Sequence, residues 1–174
     1  LVDPGRMLRR GLPEAVYCKD KTPAQVREIF QAMAARGQPV LGTKAGEEHA
    51  AAVAGLEGVE YDPVSGLLTI PAGSFQARGL VAVVSAGAAD LPVAEEAAGT
   101  AEFLGSRVAR RFDCGVAGLH RLMDFTDELA RAAAVVVVAG MDGALPSVVG
   151  GLCPGPVIAV PTIAGYGASF GGVS

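Results

Sequence analysis

Four consecutive valines, Val135 to Val138, bounded by small residues, form the clearest hydrophobic run in the chain. Apolar and polar positions do not alternate there, which is the pattern of a strand covered on both faces, as in a parallel sheet packed between helices. Gly140-Met141-Asp142-Gly143 follows, too rich in glycine for a helix and carrying one carboxylate. Ala144-Leu145-Pro146-Ser147 then opens a helix, with Pro146 tolerated in its first turn. A second run repeats the plan, with an apolar strand over 157–160 and a loop containing Gly165, Gly167, Gly171 and Gly172. Ligands of open α/β sheets sit in the crevice beyond the carboxyl ends of the strands, so these two transitions mark the expected site.

The rest of the pattern supplies a frame for that pair. Residues 14–18 read as a short strand, and Thr22 caps a helix with Pro23 at its first position and Gln25 at capping-box spacing. Val26, Ile29, Phe30 and Met33 fall at i, i+3, i+4 and i+7, which predicts an amphipathic helix over 23–36 ending at Gly37. Residues 39–43 make a second strand, 47–56 a second helix, and 59–61 with 67–70 a hairpin around Pro63 and Gly66. Together these read as a small βαβαβ unit, with 71–78 as the linker, so the expected domains are 1–74 and 75–174. In the second block, 80–85 is a strand, 86–90 a loop, and 92–104 a helix with Val93, Ala97, Ala101 and Leu104 inward. Residues 107–113 form another strand, and the glycine-rich 115–120 leads into a helix carrying Leu119, Leu122, Met123 and Leu129. Strand–helix alternation at this spacing predicts an α/β fold: a three-layer αβα, doubly wound parallel sheet of flavodoxin-like type, preceded by a smaller α/β domain.

Composition narrows the function classes. With 174 residues, half of them hydrophobic, the chain can bury a substantial core, and a net charge of −4 leaves no basic footprint for nucleic acid. No window approaches the roughly 18 uninterrupted apolar residues of a membrane span, and the amino terminus has no apolar signal region. Cys18, Cys114 and Cys153 are odd in number and widely spaced, which argues against a disulfide framework and a Cys-x-x-Cys metal site. A cytoplasmic protein with no metal site is the expectation. The chain opens on Leu1 and stops at Ser174, just after a glycine loop that should lead into a helix, so it reads as a fragment truncated at its carboxyl end.

Three places carry candidate chemistry. Backbone N–H groups of the 85–90 loop, at a helix start, suit a phosphate, although Asp90 is equally suited to capping that helix. His120 suits proton transfer and Arg121 a carboxylate or phosphate, but single residues of these types in turns are commonly structural. Asp142 is the best placed, at the tip of the central strand, where an ionisable group is costly unless used or hydrogen-bonded. The Gly165–Gly171 loop reads G-x-G-x-x-x-G and so misses the dinucleotide fingerprint, though its glycines still imply a close backbone approach. The cysteines read as small core residues, with no base placed by spacing beside any of them.

Taken together, SAGAADLPVAEEAA (85–98), DCGVAGLHRL (113–122), VVVVAGMDGALPSVVGGL (135–152) and PVIAVPTIAGYGASFGG (156–172) resemble one family. It is the nickel-pincer cofactor biosynthesis protein B family of lactate racemase maturation, pyridinium-3,5-biscarboxylic acid mononucleotide synthase. GLPEAVYCKDKTPAQ (11–25) is similar to that family's amino-terminal region. The second block also resembles, more distantly, the N5-carboxyaminoimidazole ribonucleotide mutase of purine synthesis, that is, a PurE-like domain. The resemblance implies carboxylation of the pyridinium ring of nicotinic acid adenine dinucleotide by CO2 or bicarbonate, followed by hydrolysis of the phosphoanhydride to release AMP. It implies no tightly bound cofactor, with magnesium compatible, and a homo-oligomer.

Carried over by motif, Asp142 is the base, the shorter of the two acids this family uses there, and His120 is a second catalytic candidate. Gly87, Ala88, Ala89 and Asp90 cradle phosphate or ribose, with Ala88 and Ala89 standing where many relatives have a hydroxyl. Arg121, Gly140, Met141, Gly143, Ala144, Gly165, Tyr166, Gly167 and Ser169 complete the implied substrate contacts. The family's nucleophilic cysteine lies in an Asn-Ser-Cys segment beyond the SFGG loop, and none of Cys18, Cys114 or Cys153 matches it. Two other readings stay open: a mutase-like carboxylate transfer with His120 as proton shuttle, and a non-catalytic nucleotide-binding module. On the first of the three, Asp90, His120, Asp142 and Tyr166 are expected to border one pocket.

Overall fold

The computed structural model describes residue 9, residues 11–71, residue 75 and residues 78–163. The chain divides into two compact units, Leu1–Gln76 and Ala77–Ser174.

The first unit runs β1 (Ala15–Tyr17), α1 (Pro23–Ala34), β2 (Val40–Thr43), α2 (Glu47–Val53), β3 (Glu60–Asp62) and β4 (Leu67–Ile70). Thr22 and Gln25 form a reciprocal capping box at the start of α1: Gln25 N–H donates to Thr22 Oγ1 (3.3 Å) and Thr22 N–H to Gln25 Oε1 (2.9 Å). Val26, Phe30 and Met33 of α1 are buried against Val16, Val40, Val53 and Leu68. The strand order is β1-β2-β4-β3, with β1 and β2 parallel and β4 antiparallel to both its neighbours. β3, the third strand of the expected βαβαβ unit, runs parallel to β2 but does not pair with it, because β4 turns back over 63–66 and inserts between them. Asp62 tightens that turn by accepting from Val64 N–H, Ser65 N–H and Ser65 Oγ.

The second unit contains β5 (Arg78–Ser85), a 3-10 turn (Ala88–Asp90), α3 (Leu91–Phe103), β6 (Ser106–Arg111), a second 3-10 turn (Val116–Gly118), α4 (His120–Met123), α5 (Thr126–Arg131), β7 (Ala134–Ala139), α6 (Leu145–Gly150) and β8 (Val157–Pro161). All four strands are parallel, in the order β6-β5-β7-β8. Both faces are covered. Ala82, Val84, Val135 and Val137 meet Leu122, Leu129, Leu145 and Val149 on one side, while Val83 and Val138 meet Ala94 and Ala98 on the other. The sheet is therefore three-layer and doubly wound, and its order reverses between β5 and β7.

Two expectations are corrected here. The fully buried residues of α3 are Ala94 and Ala98; of the expected inward set, Val93 and Ala97 are partly buried and pack against the same cluster, while Ala101 and Leu104 are only partly buried. The single helix expected after Gly118 is broken into α4 and α5, which buries Leu122, Phe125 and Leu129 but leaves Leu119 and Met123 exposed.

Candidate functional site

The second unit has a cleft of about 320 Å³ built from the loops after β5, β6 and β7. It is lined by the 86–90 turn, by residues 115–118 with Arg121, and by residues 139–142 with Ala144 and Leu145. This is the carboxyl edge of the sheet at its switch point, where a ligand crevice is expected.

Each wall has a local cause. In the first, Asp90 is buried (4% exposed) with both carboxylate oxygens engaged. Gly87 N–H donates to Oδ2 (3.0 Å) and Thr162 Oγ1, just past β8, to Oδ1 (2.6 Å). Asp90 therefore braces the turn by holding Gly87, and what the turn offers a ligand is the backbone N–H groups of Ala88 and Ala89 at the start of a helical segment.

The second wall is an arc fastened to the end of β5. Cys114 N–H donates to Ser85 O (3.0 Å) and Gly115 N–H to Ala86 O (2.9 Å). A side chain on Gly115 would put its Cβ 3.0 Å from Ala86 O, tighter than an ordinary contact, so the approach favours glycine. Arg121 pairs with Asp113 across this arc.

The third wall is the turn after β7, closed by Gly143 N–H donating to Gly140 O (3.0 Å). Met141 takes a left-handed backbone (φ +55°), uncommon for a residue with a side chain, and is 46% exposed. Asp142 is exposed and, among the described residues, is held only by a long contact from Ala144 N–H at 3.4 Å. Its carboxylate is thus available at the cleft rim, and as a carboxylate it can accept a proton or a hydrogen bond.

Of the residues singled out from the sequence, Gly87, Ala88, Ala89, Asp90, Arg121, Gly140, Met141, Asp142 and Ala144 line this one cleft. Gly143 belongs to the turn without lining it, and His120 is exposed on α4, outside the lining. Gly165, Tyr166, Gly167 and Ser169 lie outside the described residues. Thr162 and Asp113 were not anticipated, because their role is to hold other residues and no short motif marks that. None of the three cysteines lines the cleft. Burial pushes the Cys18 and Cys114 thiols up from their ordinary value, only partly offset by the nearby Lys21 for Cys18 and by Arg111 and Arg121 for Cys114. Among the described residues, no group of three or more His, Cys, Asp or Glu side chains is placed to hold a metal ion, and no helix is long and apolar enough to cross a membrane.

A doubly wound αβα domain with a strand-end cleft of small residues and one exposed carboxylate defines the class, and residues 80–171 match the AIR carboxylase family. Residues 1–72 match the LarB/PurE-like N-terminal domain. An uncharacterized protein of Methanocaldococcus jannaschii is 33% identical over 176 residues, covering 95% of this chain and 69% of that protein. The chain belongs to the LarB family, with a PurE-like second domain, and its activity is of the carboxylation-related kind that this family implies.

Proposed function

We propose that this protein carboxylates C5 of the pyridinium ring of nicotinic acid adenine dinucleotide with CO2 or bicarbonate. It then hydrolyses the phosphoanhydride to give pyridinium-3,5-biscarboxylic acid mononucleotide and AMP. The observation that carries the reading is the exposed Asp142 facing the same cleft as the backbone cradle at Ala88 and Ala89, in a chain whose two parts both match the LarB family.

The chemistry sets the roles. A pyridinium ring is electron-poor and does not attack CO2. A thiolate adding at C4 makes a neutral dihydropyridine whose C5 is nucleophilic, and C5 then forms the bond to CO2. Asp142 removes the C5 proton, the thiolate leaves C4, and the aromatic cation is restored. The family resemblance assigns the thiolate to the Asn-Ser-Cys segment and not to Cys18, Cys114 or Cys153, none of which borders the cleft. The backbone N–H groups of Ala88 and Ala89 and the side chain of Arg121 hold the phosphates, and the small residues Gly140 and Ala144 leave room for the ring. The family resemblance assigns Gly165, Tyr166, Gly167 and Ser169, which lie outside the described residues, to substrate contact. No cofactor is tightly bound. The enzyme works as a cytoplasmic homo-oligomer, in keeping with three cysteines that form no disulfide.

The test is incorporation of labelled bicarbonate into the dinucleotide by a protein that carries the Asn-Ser-Cys segment, since residues 1–174 without that thiolate should incorporate none. Asp142→Asn should lower carboxylation at least about 100-fold, the lower end of what a positioned base supplies, while dinucleotide affinity stays within about twofold. An Asp142→Asn protein that still incorporates label at the parent rate would remove Asp142 from the mechanism.

A second reading has its own support in the AIR carboxylase match of the second unit. Carboxylate transfer on an aminoimidazole ribonucleotide needs no thiol and would use His120, reaching from α4, as proton shuttle. Turnover of that ribonucleotide with none of the pyridinium dinucleotide would favour it.

A further inference from the structure

Arg121 is the one cation among the described residues lining the cleft, and it is held on three sides. Arg111 Nε donates to the Arg121 carbonyl (2.7 Å), fixing the backbone. Arg121 Nη1 donates to Asp113 Oδ2, fixing the head group. Beneath it, a Cβ on Gly118 would lie 2.5 Å from Nη2 and 2.7 Å from Nε, so the guanidinium rests where any side chain would stand. Asp113 is itself fixed. Its backbone is left-handed (φ +55°), its N–H donates to Ser85 Oγ (3.4 Å), and Cys114 and Gly115 tie the following backbone to the end of β5.

Resting on the dinucleotide reading above, we infer that Asp113 and Gly118 form a seat that positions Arg121 as the anion contact of the cleft. Asp113 is a positioning residue, not a ligand contact. Asp113 takes one of the five guanidinium donors and Gly118 receives the Nε/Nη2 edge, which leaves the remaining outward N–H groups of Nη1 and Nη2 for phosphate oxygens. An unseated arginine has to give up its rotamer freedom when the ligand binds, whereas a seated one has already done so.

Two effects of removing Asp113 oppose each other. Loss of its negative charge favours anion binding, and loss of the seat disfavours it. The pair is largely open to water, with side chains 45% and 62% exposed, so solvent and salt screen the charge effect and loss of order is the larger. The net result is weaker binding.

Titration calorimetry with the dinucleotide and with AMP on the whole chain tests this. Arg121→Ala should weaken dinucleotide binding about 10-fold or more, as for a lost charge-assisted contact. Asp113→Ala and Gly118→Ala should each weaken it about 3- to 5-fold, the upper range measured for exposed ion pairs. Asp113→Asn, which keeps an oxygen for Nη1, should stay within about twofold. In the Arg121→Ala background, Asp113→Ala should have no further effect, which a merely structural role would not produce. Should Asp113→Ala fold poorly, Gly118→Ala carries the same prediction with Asp113 intact, because the atom it displaces is the far end of a flexible side chain. If Arg121→Ala weakens binding but Asp113→Ala and Gly118→Ala do not, or if Asp113→Ala acts equally with and without Arg121, the seat is overturned and the dinucleotide reading stands. If Arg121→Ala has no effect, the phosphate assignment in that reading falls, and the seat falls with it.

Discussion

Asp90 and Asp142 are both aspartates at strand ends, and their surroundings give them opposite work. Asp90 has spent both oxygens inside the protein, so Thr162→Val should leave a buried acceptor short of a partner and cost about 1–3 kcal/mol, read as a lower urea midpoint. Among the described residues Asp142 has only the long Ala144 contact, so Asp142→Asn should shift stability by no more than about 0.5 kcal/mol while removing activity. The cysteines divide in the same way. Cys18 and Cys114 are buried with raised thiol values, and Cys153 is half-buried, so a thiol reagent in the native state should modify Cys153 first. The linkage has a definite sign. Folding holds the proton on Cys18 and Cys114, so their contribution to stability is full below the ordinary thiol value of 9.0 and is lost as pH rises through the raised folded values. Stability measured between pH 8 and 10.5 should therefore fall less steeply for Cys18→Ala/Cys114→Ala than for the parent.

Among the elements, the helix–sheet spacing of the first unit depends on Gly42 in β2. A Cβ there would stand 3.0 Å from Phe30 Cζ, 3.1 Å from Cys18 Sγ and 3.2 Å from Leu68 O. Gly42→Ala should overpack that layer and cost about 1–3 kcal/mol, without touching the cleft in the other unit. The strands were legible because parallel, doubly covered strands are continuous apolar runs, as in Val135 to Val138, and the cleft loops were legible because glycines mark them. The phase of α3 was not. With alanines at 94, 97, 98 and 101, more than one face is apolar, and side chains this small do not determine which face turns inward. The break between α4 and α5 was hidden for a related reason: Leu122, Phe125 and Leu129 keep an apolar spacing compatible with one continuous helix. Thr162 was out of reach because its partner lies 72 residues away, and pairwise bonds at that distance leave no local pattern.

In the molecule as a whole, every described residue lining the cleft comes from the second unit, and each unit has its own buried core. Residues 77–174 expressed alone should therefore keep dinucleotide binding by calorimetry, and loss of binding on deleting residues 1–76 would show that the cleft is not the whole site. The 3-10 turn and α4 leave Val116, Leu119 and Met123 exposed, and β8 leaves Ile158, which is the kind of surface a homo-oligomer would cover. Light scattering should report a particle larger than one chain, and a monodisperse monomer at high concentration would contradict the proposed assembly. The Asp90–Thr162 bond also bears on the order in which the protein takes shape. Its two ends are made far apart in time on the ribosome, and parallel strands pair only after their crossovers have closed. The brace behind the first cleft wall thus cannot form until β8 has docked on β7. In refolding, recovery of ligand binding should lag behind recovery of helical signal, and Thr162→Val should shorten that lag less than it lowers the final affinity.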